Sequence, residues 1–451
     1  MFKAIANFFR TGEDRPPMSD DPNVIASEFK RRRWSVFLSI TLGYAFFYVC
    51  RLNWSVVKKP LMDNGVLDAS QIGTMGMIFF FTYAIGKFLN SFIADRCNIK
   101  KFLPFGLFMA SLLTIVMGFH PGFSAMCVLW GLIGWFQSYG AGPCIVSLNQ
   151  WFAGKERATF YGIWFTSHNL GAGVTYLVTA ALVMKYSWTA GFFVPGIICL
   201  VASILMYKFM SDRPQVYGLP TPFAMAGEPD PTKTTSDRTV WQLQLEVIKN
   251  PAVWILGLSS ACCYITRYAV ESWGIIFLTE AKAYTILGAS GILTIMQVAG
   301  IFGAFSCGLV ADKFFNHRLN VPCLIFGVLY AAATALFVWA PPEWSSWADP
   351  LSMCVYGFTM GALVCYLGGL MAVTVCPKRA TGAAMGMIGL FSYAGASLQE
   401  KISGHFINAG KWVDAAGVTH YNFGEATYFW VGAAVVSFIL ATFVWNAKAK
   451  E

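Results

Sequence analysis

The residues that can do chemistry in this chain are few, and the most telling lie inside apolar runs. Arg51 ends the stretch Leu42-Gly43-Tyr44-Ala45-Phe46-Phe47-Tyr48-Val49-Cys50-Arg51. Tyr44, Tyr48 and Arg51 are spaced so that they share one face of a helix. An arginine deep in a bilayer helix costs about 2.5–3.5 kcal/mol even on a lenient insertion scale, so it normally faces a water-filled cavity or a partner. A second arginine of this kind, Arg267, follows Cys263-Tyr264-Ile265-Thr266. The pair predicts two guanidinium groups held across one cavity, with the rest of the chain as their scaffold. Each alone has a plainer reading, as a side chain snorkelling to the interface or a structural ion pair.

The composition says what that scaffold is. Of 451 residues, 56% are hydrophobic and 12% charged, with 42 Gly, 39 Phe and 16 Trp. Soluble domains carry roughly 25% charged residues. An all-α, multi-pass membrane protein is expected. Runs of about 20 apolar residues give about twelve spans: 34–50, 72–94, 102–119, 123–148, 158–184, 190–210, 253–278, 286–310, 321–339, 351–375, 383–407 and 428–445. The 12 cysteines are scattered, with neither paired nor metal-ligand spacing, which predicts free thiols. The N-terminus lacks the pattern of a cleavable signal peptide.

Cationic clusters recur on one side of this count. Lys30-Arg31-Arg32-Arg33 precedes the first span, and others follow spans two, four, six, eight, ten and twelve. The positive-inside rule then puts both termini in the cytoplasm, in a bacterial inner membrane, with Lys58 and Lys59 as the main exceptions. The expected organisation is an N-terminal segment over 1–33, a bundle over 34–210, a polar linker over 211–250, a second bundle over 251–446 and a tail over 447–451.

The two bundles repeat one another. Arg51 precedes Ile93-Ala94-Asp95-Arg96 by nearly the distance at which Arg267 precedes Val310-Ala311-Asp312-Lys313. Glu156-Arg157-Ala158-Thr159 is echoed by Lys378-Arg379-Ala380-Thr381. Three landmarks in one order predict two parallel six-helix repeats, with a midplane site and alternating access.

Asp-Arg/Lys after spans two and eight is the loop signature of the major facilitator fold. Asp95, Arg96, Asp312 and Lys313 are therefore candidate gate residues, or else ordinary loop charge. Gly43-Tyr44, Tyr48, Arg51, Tyr83 with Lys87, Lys155-Glu156-Arg157, His168-Asn169-Leu170-Gly171 and Tyr264 with Arg267 together resemble the organophosphate:phosphate antiporter family. That family includes glycerol-3-phosphate and hexose-6-phosphate transporters, phosphoglycerate transporters and a transporter-like glucose-6-phosphate sensor. The resemblance runs over almost the whole chain after Lys30.

It implies that Arg51 and Arg267 clamp a phosphate. The chemistry agrees, since a phosphate monoester carries about −1.5 to −2 charges and three acceptor oxygens, which two guanidinium forks can grip bidentately. By resemblance, Lys87 adds positive potential and Tyr83 donates to phosphate. Tyr44, Tyr48 and Tyr264 line the site, and His168 hydrogen-bonds phosphate and changes protonation with it. Gln137, Trp164 and Tyr393 are candidates for reading the organic moiety. The plainer readings are packing for the tyrosines and Trp164, snorkelling for Lys87, an interhelical hydrogen bond for Gln137, and a backbone-bonded ring for His168.

Some family positions differ. Gln297 stands for a carboxylate, Ser272 for an aspartate with Glu271 one place earlier, and Met385 and Ile388 for an aspartate–lysine pair, while Glu400-Lys401 lies further along span eleven. These changes leave the clamp and place the organic part of the ligand in question. The resemblance implies a secondary exchanger of a phosphorylated metabolite, hexose 6-phosphate or glycerol 3-phosphate, for inorganic phosphate. The alternative is a receptor that senses external sugar phosphate and signals to a kinase. No cofactor, metal or nucleic-acid partner is expected. An enzyme is disfavoured, because no metal cluster, nucleophile motif or Gly-rich phosphate loop is present. A further expectation is mutual repulsion of Arg51 and Arg267, holding the halves apart when no anion lies between them.

Overall fold

The computed structural model describes residues 7–94, 96–229, 240–315, 319–371, 375–376 and 381–445. Its first long helix, α1, runs over Pro22–Asp63. Asp21 caps it by accepting from the Asn23 amide, Pro22 occupies the first turn, and the chain leaves through Asn64 and Gly65, whose φ is 66°. A helix of 42 residues is about 63 Å long at 1.5 Å per residue. That is roughly twice the hydrocarbon thickness of a bilayer. The expected first span ended at residue 50; the helix instead carries both the Lys30–Arg33 cluster and Lys58-Lys59, since the first proline after its opening turn, Pro60, falls only in the last turn.

The helices that follow are α2 (Ala69–Ala94), α3 (Ile99–Met117), α4 (Phe123–Gln137), α5 (Ala141–Trp151), α6 (Gly154–Lys185) and α7 (Ala190–Phe209). The expected fourth span is two helices, broken at Ser138-Tyr139-Gly140. The break lets Tyr139 stack on Phe102 of α3 at 4.3 Å. The polar stretch after α7 contains a short turn of helix at Pro222–Ala226 and an amphipathic helix, α8 (Val240–Lys249). The second half is α9 (Pro251–Ala281), α10 (Ile286–Phe314), α11 (Asn320–Trp339), α12 (Ser345–Cys365), α13 (Thr381–Ala409) and α14 (Gly424–Thr442). A π-helical turn, Tyr366–Leu370, extends α12. With α4 and α5 as one broken span, the chain crosses twelve times, in two six-helix repeats. Nine helices among the described residues are long and apolar enough to cross a membrane on their own. The twelve cysteines are thiols, with no disulfide among the described residues.

A hairpin between α13 and α14 was not foreseen. β1 (Lys411–Val413) pairs antiparallel with β2 (Thr419–Tyr421), Trp412 opposite His420. The Val418 amide and His420 hold the Asp414 carboxyl below the usual carboxylate range, so this turn is weakened as pH falls through that lowered value.

The two halves meet along three helix pairs: α2 with α13, α6 with α10, and α1 with α9. The end of the bundle where the Trp445 carbonyl accepts from Asn320 and Arg33 pairs with Glu156 is the terminal face. The opposite end is the far face. Among the described residues, the hydrogen bonds and ion pairs between halves lie at or beyond the arginine level, toward the far face. Lys58 donates to Ser272 and to Glu400 at 3.3 Å, and Lys59 pairs with Glu280 at 2.8 Å. Lys401 donates to Thr74 at 2.8 Å and Ser397 to the Met77 carbonyl at 2.9 Å. Lys58 and Lys59, exceptions to the charge rule, are therefore the pins of this closure. The backbones come close because small residues face each other: a Cβ on Gly73 would stand 2.5 Å from the Glu400 carbonyl oxygen.

Lys58 is fully buried and Glu400 is 1% exposed. Removing one partner of such a pair costs about 3–5 kcal/mol, whereas replacing both with apolar groups is close to neutral. Lys58→Met and Glu400→Leu should each lower the thermal unfolding midpoint in detergent, and the double variant should recover most of the loss. Additive losses in the double variant would show that the pair does not hold the seam.

Candidate functional site

Local sequence explains how the charged side chains reach the seam. On α1 one face carries Tyr44, Tyr48, Arg51, Ser55 and Lys58, at intervals of three and four residues. On α9 the same rhythm gives Tyr264, Arg267 with Tyr268, and Glu271 with Ser272. Each arginine thus follows a tyrosine by three residues, and α1 packs against α9. Arg51 and Arg267 are each 4% exposed.

Tyr268 lies between them. Arg51 Nη2 donates to the Tyr268 hydroxyl at 2.7 Å. The two guanidinium carbons stand 5.1 and 5.3 Å from the Tyr268 ring centre. Arg51 also lies 4.9–5.5 Å from the rings of Tyr48, Phe79, Phe80 and Tyr83. Cation–π contacts of this kind contribute about 0.5–2 kcal/mol each. Arg267 is held differently, with its Nε donating to Glu271 at 3.1 Å. The expected repulsion between the arginines is therefore not what sets the spacing of the halves. Glu271 pairs with Arg267, the Tyr268 ring lies beside both guanidinium groups, and the halves touch at this level. Arg51 Nε, Arg267 Nη2 and Glu271 Oε2 have no hydrogen-bond partner among the described residues.

The other candidates gather around this core from α1, α2, α4, α6, α9 and α13. Tyr83 packs on Tyr393 at 4.7 Å, Tyr264 on Tyr393 at 5.5 Å, and Lys87 Nζ lies 4.7 Å over the Tyr393 ring. Tyr48 packs against His168 at 5.2 Å and Tyr44 against Trp164 at 4.8 Å. The His168 Nδ1 contacts the Phe165 carbonyl. Gln137 donates to the Phe47 carbonyl at 2.9 Å, tying α4 to α1. The structure thus brings Arg51, Arg267, Lys87, His168, Tyr44, Tyr48, Tyr83, Tyr264, Trp164 and Tyr393 into one aromatic-walled basic region. The gate candidates lie elsewhere. Arg96 and Lys313 are exposed, while Asp95 and the Asp312 side chain fall outside what is described.

Sequence reasoning missed Tyr268, Phe80 and Lys58. Tyr268 adjoins Arg267 and was visible but unused. Lys58 lies two helical turns beyond Arg51 on the same face, which was signal enough. On the far side of Arg51 the seam leaves a cavity of about 20 Å³, lined by Arg51, Ser55, Tyr268, Glu271, Ser272 and Glu400. That is room for about one water molecule, so no phosphate ester passes this way while the far face is closed.

Replacing either guanidinium by an ammonium removes the planar fork and the ring stacking. Arg51→Lys and Arg267→Lys should each weaken inorganic phosphate and organic phosphate together, by at least about tenfold, from the loss of one charge-assisted hydrogen bond. Equilibrium binding to the purified variants checks this. Unchanged affinity for both ligands in either variant would remove the clamp.

The Major Facilitator Superfamily profile matches residues 27–399. The membrane sensor protein UhpC of Escherichia coli is 31% identical over 403 residues, covering 87% of this chain and 89% of that protein. The glycerol-3-phosphate transporter of Haemophilus influenzae is 30% identical over 462 residues, covering 95% and 94%. The hexose-6-phosphate:phosphate antiporter of Escherichia coli is 29% identical over 391 residues, covering 81% and 82%. Among solved structures, a bacterial homolog of the human lysosomal transporter Spinster, inward-facing and unoccupied, superposes with a TM-score of 0.74 at 17% identity, over 93% of this chain and 97% of that one. The chain belongs to the Major Facilitator Superfamily and is an integral, multi-pass membrane protein.

Proposed function

We propose that this chain is a secondary transporter that exchanges a phosphorylated metabolite, hexose 6-phosphate or glycerol 3-phosphate, for inorganic phosphate by alternating access. One observation carries the reading. Two buried arginines, at matching places in the two repeats, flank one tyrosine at the seam between halves. Only a ligand with several anionic oxygens engages both. Relatives named as a glycerol-3-phosphate transporter and a hexose-6-phosphate:phosphate antiporter support the substrate class, and support transport over catalysis.

In the mechanism, phosphate competes with Glu271 for Arg267 and with Tyr268 for Arg51. Lys87, His168, Tyr44, Tyr48, Tyr83 and Tyr264 complete its surroundings, and Gln137, Trp164 and Tyr393 read the organic part. The bound dianion favours the state in which both halves grip it, and a ligand shifts such an equilibrium only through its difference in affinity. The far-face pins, Lys58–Glu400 and Lys59–Glu280, then exchange with contacts near Asp95-Arg96 and Asp312-Lys313 at the terminal face. The bundles are residues 34–210 and 251–446, joined by 211–250. By the cationic loops, both termini are cytoplasmic, in a bacterial inner membrane.

The second reading is a receptor that binds sugar phosphate and signals to a kinase. A relative named as a membrane sensor, at 31% identity, favours it. Vesicles separate the two. Proteoliposomes loaded with phosphate should take up labelled organic phosphate much faster than vesicles left without it. Equal rates, or strict dependence on a sodium gradient, would overturn exchange. Binding without any counterflow would make the chain a receptor.

A further inference from the structure

A second cleft, of about 490 Å³, opens at the terminal face. It lies where the first turns of α1, the α5–α6 junction and the helical turn Pro222–Ala226 meet, and it shares no lining residue with the arginine site. Among the described residues its charged lining is balanced, with two cations, Lys30 and Arg33, and two carboxylates, Glu156 and Glu228. Arg33 pairs with Glu156 at 2.5 Å and lies 4.3 Å over the Phe152 ring, and its Nε has no partner among the described residues. Lys30 is exposed and makes no ion pair among the described residues. The apolar lining includes Phe29, Trp34, Trp151 and Met225.

The height of the cleft relative to the membrane follows from α1. Trp34 begins the apolar run of that helix, directly after the basic cluster. It is 44% exposed, and Leu38 and Leu42, one and two turns further in, are 54% and 55% exposed. An exposed tryptophan at the head of an exposed leucine strip marks the level where headgroups meet acyl chains. The cleft therefore faces lipid headgroups, and the strip offers an apolar path for a chain attached to one.

We propose that this cleft holds the headgroup of a zwitterionic aminophospholipid, with its phosphate on Lys30 and Arg33 and its ammonium on Glu156 and Glu228. The charge balance selects this class. An anionic headgroup brings a phosphate for the cations but leaves both carboxylates facing a negative ligand. A choline headgroup has the right net charge but no N–H to donate to a carboxylate, and charge-assisted hydrogen bonds are the stronger contacts. A primary ammonium supplies three donors.

The test reads lipid rather than transport. The full chain, purified in detergent, is mixed with equal amounts of phosphatidylethanolamine, phosphatidylcholine and phosphatidylglycerol of matched acyl chains. Retained lipid is then counted by native mass spectrometry. Phosphatidylethanolamine should be retained about fivefold or more over each of the others, as one charge contact of about 1 kcal/mol at a membrane surface implies. Lys30→Gln and Glu228→Gln should each abolish that preference, while Lys411→Gln, on the far-face hairpin, should leave it intact. Lys30 is exposed and Glu228 lies in a surface turn, so both variants should fold, which an unchanged unfolding midpoint confirms. Equal retention of the three lipids, a preference for phosphatidylglycerol, or a preference that survives either substitution would overturn the proposal.

Discussion

A charge taken out of water inside a bilayer must be answered by another charge, by hydrogen bonds or by ring faces, and the centre of this molecule is arranged around that demand. Arg51, Arg267 and Lys58 are buried at the seam between halves. Glu271 answers Arg267 and Glu400 answers Lys58. Arg51 is answered by the Tyr268 hydroxyl and by ring faces. Desolvating an ion costs several kcal/mol after relaxation, and a few cation–π contacts of about 0.5–2 kcal/mol each offset only part of it. The α1–α9 seam is therefore left with one cation more than its carboxylates. In the proposed exchange, a phosphate dianion offsets that imbalance.

The same accounting explains why the far face closes where it does. Lys58 and Ser55 continue the Arg51 face of α1, and Ser272 continues the Arg267 face of α9. The latch and the ligand site are thus successive turns of the same two helices. A ligand that moves α1 against α9 by a fraction of a turn at the arginines acts directly on the Lys58–Ser272 contact. Glycines on α2 bring its backbone against α13, so that Glu400 reaches the pin from behind. Coupling between binding and closure then requires no long relay through the protein.

Much of this was legible in the sequence, for physical reasons. A bilayer imposes long apolar runs and penalises intramembrane charge, so twelve spans and two arginines stood out. The repeat registered because the same landmarks recur in one order. What periodicity could not show was where a helix stops. The fourth span breaks at Ser138-Tyr139-Gly140, where Gln137-Ser138 and Gly142-Pro143 are too short an interruption to divide an otherwise apolar run, and α1 outlasts its apolar run at both ends. Partners distant in sequence were hidden too. Lys58 reads as an exception to the charge rule until Glu400, on another half, is set beside it. The Gln137 amide donates to the Phe47 carbonyl, a partner on another helix that its own span does not reveal. The pairing of Arg267 with Glu271, by contrast, was present in the spacing of four residues along one helix.

The central claim is that one phosphate is held by both arginines at once. Solid-state NMR on protein with nitrogen-15 in its arginines, in lipid with bound inorganic phosphate, measures the distance from guanidinium nitrogen to phosphorus directly. The account predicts two guanidinium groups at about 4 Å from phosphorus, the separation that N–H···O contacts of about 2.7–2.9 Å impose. It further predicts that Arg51→Lys and Arg267→Lys, each at saturating phosphate, remove one of the two signals. A single close guanidinium that either variant leaves unchanged, or none at all with phosphate demonstrably bound, would contradict it.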